Sequence, residues 1–263
     1  MAVSSKAEFA LVSQDRGETL LLLSGAMSIP DISWLTVAHF AQAYRVIAPA
    51  YPAVKTMDAL VDGVAEILRR EGIAQAHVLG GSYGGVVAQV FVRRHPALAR
   101  SLTLSHTLPP DPASGQAIRK MMGWLSVLPE GILRWLMGKQ LGSLMPAKTA
   151  ETALLHAMFQ ELLRHHLTKA DILSTLWRTI DYGTLKFTPQ DLAGWPGQVL
   201  LVLADDDPGT PEPVRTALSA LYPRAKLQLF HGTGHMTSVL DEAGYQTVIE
   251  EFLHNQTDRD LKR

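Results

Sequence analysis

The stretch "LGGSYGGV", Leu79–Val86, sets one serine among four glycines. It follows the apolar "AHV" and leads into "VAQVFVRRHP". Three readings compete for it: a plain turn, a phosphate cradle and a held nucleophile. The cradle fits poorly, because the run lacks the G-K-[ST] ending of a P-loop and the G-x-G-x-x-G spacing. Gly80-Gly81-Ser82-Tyr83-Gly84 does fit G-x-S-x-G. That motif gains meaning between a strand and a helix, where it marks a nucleophile elbow. A sharp strand-to-helix turn brings backbones close, and glycine removes the β-carbon that would clash. Ser82 would then sit at a helix N-terminus, where free N–H groups favour developing negative charge.

The flanks supply that setting. "TLLLLSG" (Thr19–Gly25) is a continuous apolar run, as in a strand buried on both faces. "ISWLTVAHFAQAY" has helical spacing, and "RVIAPAYP" is a strand stopped by Pro52. "MDALVDGVAEILRREGI" is an amphipathic helix with Leu60, Val61, Val64, Ile67 and Leu68 on one face. "AHVLGG", then "YGGVVAQVFVRRHP", then "ARSLTLSHT" read as strand, helix and strand. A weaker strand is expected over Ala7–Val12. Alternating strands and helices with short loops predict an α/β fold: a mostly parallel twisted sheet flanked by helices.

The rhythm breaks at "LPPDP" (Leu108–Pro112). From there to about Trp195 the pattern is helical, in four segments punctuated by Pro129 and Pro146. Alternation resumes at "GQVLLVLADDD" and runs through "PEPVRTALSALY", "AKLQLF" and "YQTVIEEFLHN". The expected organisation is therefore a core of residues 1–107 and 196–263, interrupted by an all-helical insertion at 108–195. "QTDRDLKR" is expected to fray.

Composition narrows the function. The 263 residues are 47% hydrophobic with a formal net charge of −1. No global field points to nucleic acid or an anionic membrane. There is no cysteine, which removes disulfides, thiol catalysis and cysteine zinc sites. The "LLLL" run is too short for a membrane span, and acidic residues interrupt what precedes it. A cytoplasmic protein is expected.

A serine nucleophile needs a base. Among the ten histidines, His235 follows Gly232-Thr233-Gly234 in a loop after the strand "AKLQLF". Loops at the carboxyl ends of parallel strands are where such sheets carry chemistry. His231 falls at the strand end, where packing or capping is expected. His77 and His95 flank the elbow's strand and helix as structural residues, and His165 and His166 belong to a polar helix face. The base in turn needs an acid. "VLLVLADDDPGTP" offers Asp205, Asp206 and Asp207, in the chain order Ser, Asp, His. Chemistry alone leaves the three open.

From Thr19 to Leu253 the chain resembles the α/β-hydrolase superfamily, in its serine-nucleophile, esterase-like branch with a helical cap. The resemblance rests on "LLLSGAM", "HVLGGSYGG", "VLLVLADDDPGTP" and "FHGTGH". It implies a catalytic set of Ser82, Asp207 and His235. Ala204, Asp207 and Pro211 fall on the family's acid pattern, with Asp206 second. It also implies an oxyanion hole from the backbone N–H groups of Ala26 and Tyr83. Ser24-Gly25 stands where relatives commonly have His-Gly, and Ala50 where many have Asp. Neither implied N–H donor depends on its side chain.

These residues imply acyl transfer through an acyl-serine, requiring no metal or organic cofactor. The expected substrate is a small apolar acyl or aryl ester. C–C (diketone), amide or thioester hydrolysis on the same residues, and a non-enzymatic ligand-binding or adaptor role, are the alternatives. The insertion is rich in Met, Leu and Trp, including Met121, Met122, Trp124, Trp135, Met137, Met145, Met158 and Phe159. Most are expected to form its own core. Met121, Trp124 and Met158, with His106, are expected to face the substrate.

Overall fold

The computed structural model describes residues 9–12, 17–25, 33–144 and 149–260. Among them, seven strands form one sheet: β1 (Phe9–Val12), β2 (Thr19–Leu23), β3 (Arg45–Pro49), β4 (Ala76–Gly81), β5 (Ala99–Ser105), β6 (Val199–Ala204) and β7 (Lys226–Phe230). Their order is β1-β3-β2-β4-β5-β6-β7. Only β1 runs antiparallel, against β3. The rest pair in parallel. All five residues of β2 are buried, as its unbroken apolar run requires of a strand covered on both faces.

Helices cover the two faces. On one side α2 (Met57–Arg70), α3 (Tyr83–Arg94) and α8 (Glu212–Leu221) pack around Leu21, Val78, Phe91, Leu104 and Leu218. On the other, α1 (Trp34–Phe40) and α10 (Glu242–Asp260) pack around Leu20, Phe40, Leu200 and Phe252. A four-residue helix, α9 (Thr237–Leu240), precedes α10. α2 shows how sequence sets a helix. Thr56 caps it by accepting from Ala59 N, Arg69 and Arg70 close it, and Met57, Leu60, Val61, Val64, Ala65 and Leu68 are buried. Of the tail expected to fray, residues 256–260 are helical instead, and residues 261–263 lie outside the described residues. α10 runs on to Asp260, with Gln256 buried and donating to Gln198 Oε1 at 3.2 Å.

Four helices lie between β5 and β6: α4 (Pro112–Val127), α5 (Glu130–Gly142), α6 (Ala150–His166) and α7 (Lys169–Tyr182). They enclose their own apolar cluster, including Met122, Leu133, Met137, Phe159, Leu163 and Ile172. Asp111, Thr149 and Thr168 cap α4, α6 and α7 through their side chains.

The strand order fixes where a site can form. From β2 the chain turns one way, to β3, and from β4 it turns the other, to β5. Their carboxyl ends therefore part at a topological switch point, which opens a crevice. Ser24-Gly25 and Ser82 stand at its two lips. A β-carbon on Gly25 would come within 3.2 Å of Ser82 Cβ.

Candidate functional site

Ser82 is held in a strained turn. Its φ is 52°, left-handed for a residue with a β-carbon. Its N–H donates to Ser105 O at 2.8 Å, and Thr107 Oγ1 donates to its carbonyl at 2.8 Å. Neighbouring glycines make the turn possible. A β-carbon on Gly84 would lie 1.8 Å from Leu23 O, and one on Gly80 would lie 2.5 Å from Gly84 O. Gly81 meets nothing within 4 Å, so close approach does not explain that glycine. Tyr83 opens α3, so its N–H falls among the first-turn donors that have no intrahelical acceptor.

The carboxyl ends of β6 and β7 bring two more groups to Ser82. His235 Nε2 is 3.1 Å from Ser82 Oγ, and His235 Nδ1 is 2.9 Å from Asp207 Oδ2. The three aspartates separate by partner. Asp205 accepts from His231 Nδ1 at 2.6 Å, Asp206 accepts from the N–H of Gly234 at 2.8 Å, and Asp207 faces His235. Asp207 is 2% exposed and caps no helix. Gly209 N donates to its Oδ1 at 2.7 Å and Thr210 Oγ1 to its Oδ2 at 2.8 Å.

His106, at the end of β5, makes a further contact with this group. Its Nδ1 lies 3.1 Å from Asp207 Oδ2, and its ring meets that of His235 edge-on at 5.6 Å. Burial alone would push the Asp207 carboxyl up. The hydrogen bonds from His106, His235 and Thr210 outweigh it and hold the acid well below the usual carboxylate range. An ionised carboxylate only accepts, so the Nδ1 of each ring donates, and in the neutral form of each ring Nε2 then carries the lone pair. Ser82 Oγ–H therefore donates to His235 Nε2. A serine so placed can attack a carbonyl while its proton passes to the ring.

His106, Asp207 and His235 also bring ligand atoms within 4.8 Å of one another, close enough to share a metal ion. Both Nδ1 atoms already donate to one carboxylate oxygen, so coordination there would break those bonds.

The remaining histidines sit elsewhere. His77 is buried against Ser101 Oγ and Glu18, and His95 pairs with Asp62 at 2.8 Å. His231 is exposed beside Asp205, and His165 is exposed beside Glu161.

Beside Ser82 and His235 lies a cavity of about 150 Å³. Leu22, Leu79, Gly25 and Tyr245 line it from the body, with His106 among them. Leu141, Leu144 and Phe159 line it from the inserted segment. Among the described residues no Asp, Glu, Lys or Arg is part of this lining. Met121 and Trp124, expected at the substrate, are instead 50% and 57% exposed on α4. They follow the helix face that the insertion's own cluster leaves outside. Met158 is half-buried on α6, one residue from Phe159, and does not line the cavity. Ala26 and Met145 lie outside the described residues.

Sequence reasoning missed Arg178. It is fully buried on α7 and ties the insertion to the elbow. Its Nε donates to Tyr83 Oη at 2.9 Å, and its Nη1 to the carbonyls of Pro52 and Val54 at 2.8 and 3.1 Å. Its Nη2 donates to Thr175 Oγ1 at 2.8 Å. Burial raises the Tyr83 phenol, against the pull of the Arg178 charge. Tyr51, whose hydroxyl donates to Ser24 O at 3.0 Å, braces the opposite lip. A lone arginine on an amphipathic helix gives no sequence signal of this.

A mostly parallel sheet with serine, aspartate and histidine gathered at its carboxyl edge defines the α/β-hydrolase class. The model of the alpha/beta hydrolase family matches residues 20–251, and the chain belongs to that family. It is 25% identical over 225 residues to a proline iminopeptidase of Lactobacillus delbrueckii subsp. bulgaricus, covering 76% of this chain and 72% of that one. The fold is shared with a thermophilic esterase from Thermogutta terrifontis at TM-score 0.74 and 18% identity, covering 91% and 90% of the two chains. It is shared too with a meta-cleavage product hydrolase from Pseudomonas fluorescens IP01 at TM-score 0.71 and 20% identity, covering 91% and 92%. Among the described residues no helix is long and apolar enough to cross a membrane.

Proposed function

We propose that the chain is a serine hydrolase that cleaves neutral carboxylic esters of apolar acyl or aryl groups through an acyl-serine. One observation carries this reading. The Ser82 hydroxyl is 3.1 Å from His235 Nε2, whose Nδ1 is 2.9 Å from buried Asp207, beside a cavity whose described lining holds no Asp, Glu, Lys or Arg.

In this mechanism Ser82 Oγ attacks the ester carbonyl as its proton passes to His235 Nε2. The oxyanion is held by the Tyr83 N–H, and the family resemblance assigns the second donor to Ala26, each such donor being worth about 3 kcal/mol. His235 then protonates the leaving alcohol. Water attacks the acyl-serine with His235 again as base, which restores Ser82. Asp207 keeps the ring's Nδ1 protonated and offsets the imidazolium charge. The helices between residues 108 and 195 act as a cap that sets substrate size through Leu141, Leu144 and Phe159. The absence of cysteine supports a cytoplasmic location.

The iminopeptidase relative favours a second reading, amide hydrolysis beside a free N-terminal amine. Among the described lining residues no Asp or Glu stands ready to partner such an amine, and a buried ammonium needs a partner charge, which speaks against it. The test is a panel of p-nitrophenyl esters of graded chain length beside a proline p-nitroanilide and a diketone. Ester turnover that Ser82→Ala abolishes supports the proposal. Turnover of the anilide or diketone alone moves the chemistry to that bond, and no turnover of any of them favours a non-enzymatic role.

A further inference from the structure

Ser82 and His106 are the two non-glycine residues with positive φ among the described residues, at 52° and 47°. Strain of this kind persists where the surroundings force it, and it gathers at functional positions. The His106 N–H donates to Val202 O at 2.9 Å, which pins the strained backbone to β6. The residue is 4% exposed and lines the cavity.

The mechanism above uses His235 and leaves His106 without a task. Bracing Asp207 occupies only Nδ1. Nε2 is buried and has no hydrogen-bond partner among the described residues. With Nδ1–H committed to the ionised Asp207, this Nε2 is a lone-pair acceptor. Burial pushes the His106 pKa down, so the ring stays neutral. A buried acceptor left unmatched costs free energy that a matching donor returns. Both rings radiate from one oxygen of Asp207, with centroids 5.6 Å apart. His106, His235 and Ser82 line the same cavity, so a donor held by His106 shares that cavity with the carbonyl that Ser82 attacks.

We propose that His106 Nε2 accepts a hydrogen bond from a hydroxyl or N–H group of the substrate beside its reacting carbonyl, so that the preferred substrate is a hydroxylated neutral ester. This rests on the acyl-serine reading. The donor can belong to the acyl chain or to the leaving alcohol, and His106 is then a specificity residue.

The test compares matched esters. The acyl arm is p-nitrophenyl butanoate against its 2-hydroxy and 3-hydroxy counterparts. The alcohol arm is ethyl butanoate against 2-hydroxyethyl butanoate. In the wild-type protein kcat/KM for at least one hydroxylated member exceeds its plain parent by about tenfold or more. His106→Asn is the informative variant. Asparagine tolerates left-handed φ and keeps a donor toward Asp207 but has no atom at the Nε2 position. There the ratio falls to about one. Wild-type ratios near one in both arms, or a preference that survives His106→Asn, overturn the proposal. Should that variant fail to fold, 15N-histidine spectra of the wild-type protein decide. Saturation with 1-hydroxy-2-butanone shifts His106 Nε2 while 2-butanone does not, and equal responses overturn the proposal. Plain esters that show no Ser82-dependent turnover would instead indict the acyl-serine reading, and that outcome is distinct.

Discussion

From Gly84 to Val92, α3 buries nine consecutive residues. Across α4, α5 and α6 the pattern is the reverse, and Met121, Trp124, Val127, Ile132, Trp135 and Leu154 stand exposed. Both regions are rich in apolar side chains, yet they do different work. In the body every neighbour constrains Ser82: the β4 backbone, the Leu23 carbonyl behind Gly84, Ser105 O and Thr107. In the insertion a self-contained cluster carries the packing, and among the described residues three side chains, Leu141, Leu144 and Phe159, reach the cavity. In the proposed mechanism the body therefore fixes the geometry of the chemistry, and the insertion limits what arrives there. Arg178 joins the two.

Asp207→Asn strikes the body's half of that division hardest. Amide nitrogen in place of a carboxylate oxygen favours the wrong His235 tautomer. Ester kcat should fall about 10⁴-fold with folding intact. A drop of less than tenfold, measured with circular dichroism as the folding control, would break the link between Asp207 and the chemistry.

Arg178→Met tests the joint. It leaves Tyr83 Oη and the carbonyls of Pro52 and Val54 without their donor. The expected loss is about 2–4 kcal/mol in urea unfolding. Loss confined to the insertion, with ester turnover kept, would show the two regions to be more independent than described here.

His106 gives the body a pH signature. In the unfolded chain its imidazole gains a proton below about pH 6.5. The native ring, its pKa pushed down by burial, resists that proton. Stability from this group is thus complete above the unfolded value and is lost as pH falls through the native one, with a slope of up to about 1.4 kcal/mol per pH unit. His106→Asn should flatten that part of the profile, as read from urea midpoints between pH 7 and pH 5.

The smallest effects belong to the insertion's outer face. Trp124→Gln and Trp135→Gln should each change stability by less than about 0.5 kcal/mol. They should leave kcat/KM for small esters within about twofold. A tenfold loss on Trp124→Gln would return that residue to the substrate site, where sequence reading expected it.

The same contrast explains what could be read from the chain. Alternating strands, the glycines around Ser82 and the loop after each strand are local patterns, so the fold and the position of the elbow were legible. Which of Asp205, Asp206 and Asp207 meets His235 could be anticipated only through family spacing, since each is a carboxylate in one loop. The structure gives each its own partner: His231, Gly234 N–H and His235. The insertion resisted because helical periodicity marks an apolar face without saying what that face meets. Met121, Trp124 and Phe159 look alike in sequence, yet Phe159 alone of these lines the cavity. Contacts of long separation, such as Arg178 with Tyr83 and His106 with Asp207, leave no periodic trace.

An activated Ser82 should react with a covalent serine label. The protein is incubated with a small fluorophosphonate, its intact mass is measured, and the modified peptide is sequenced. A single adduct on Ser82, absent from Ser82→Ala and strongly slowed in His235→Ala, is the predicted result. No adduct on folded wild-type protein, or an adduct that persists in Ser82→Ala, would contradict it.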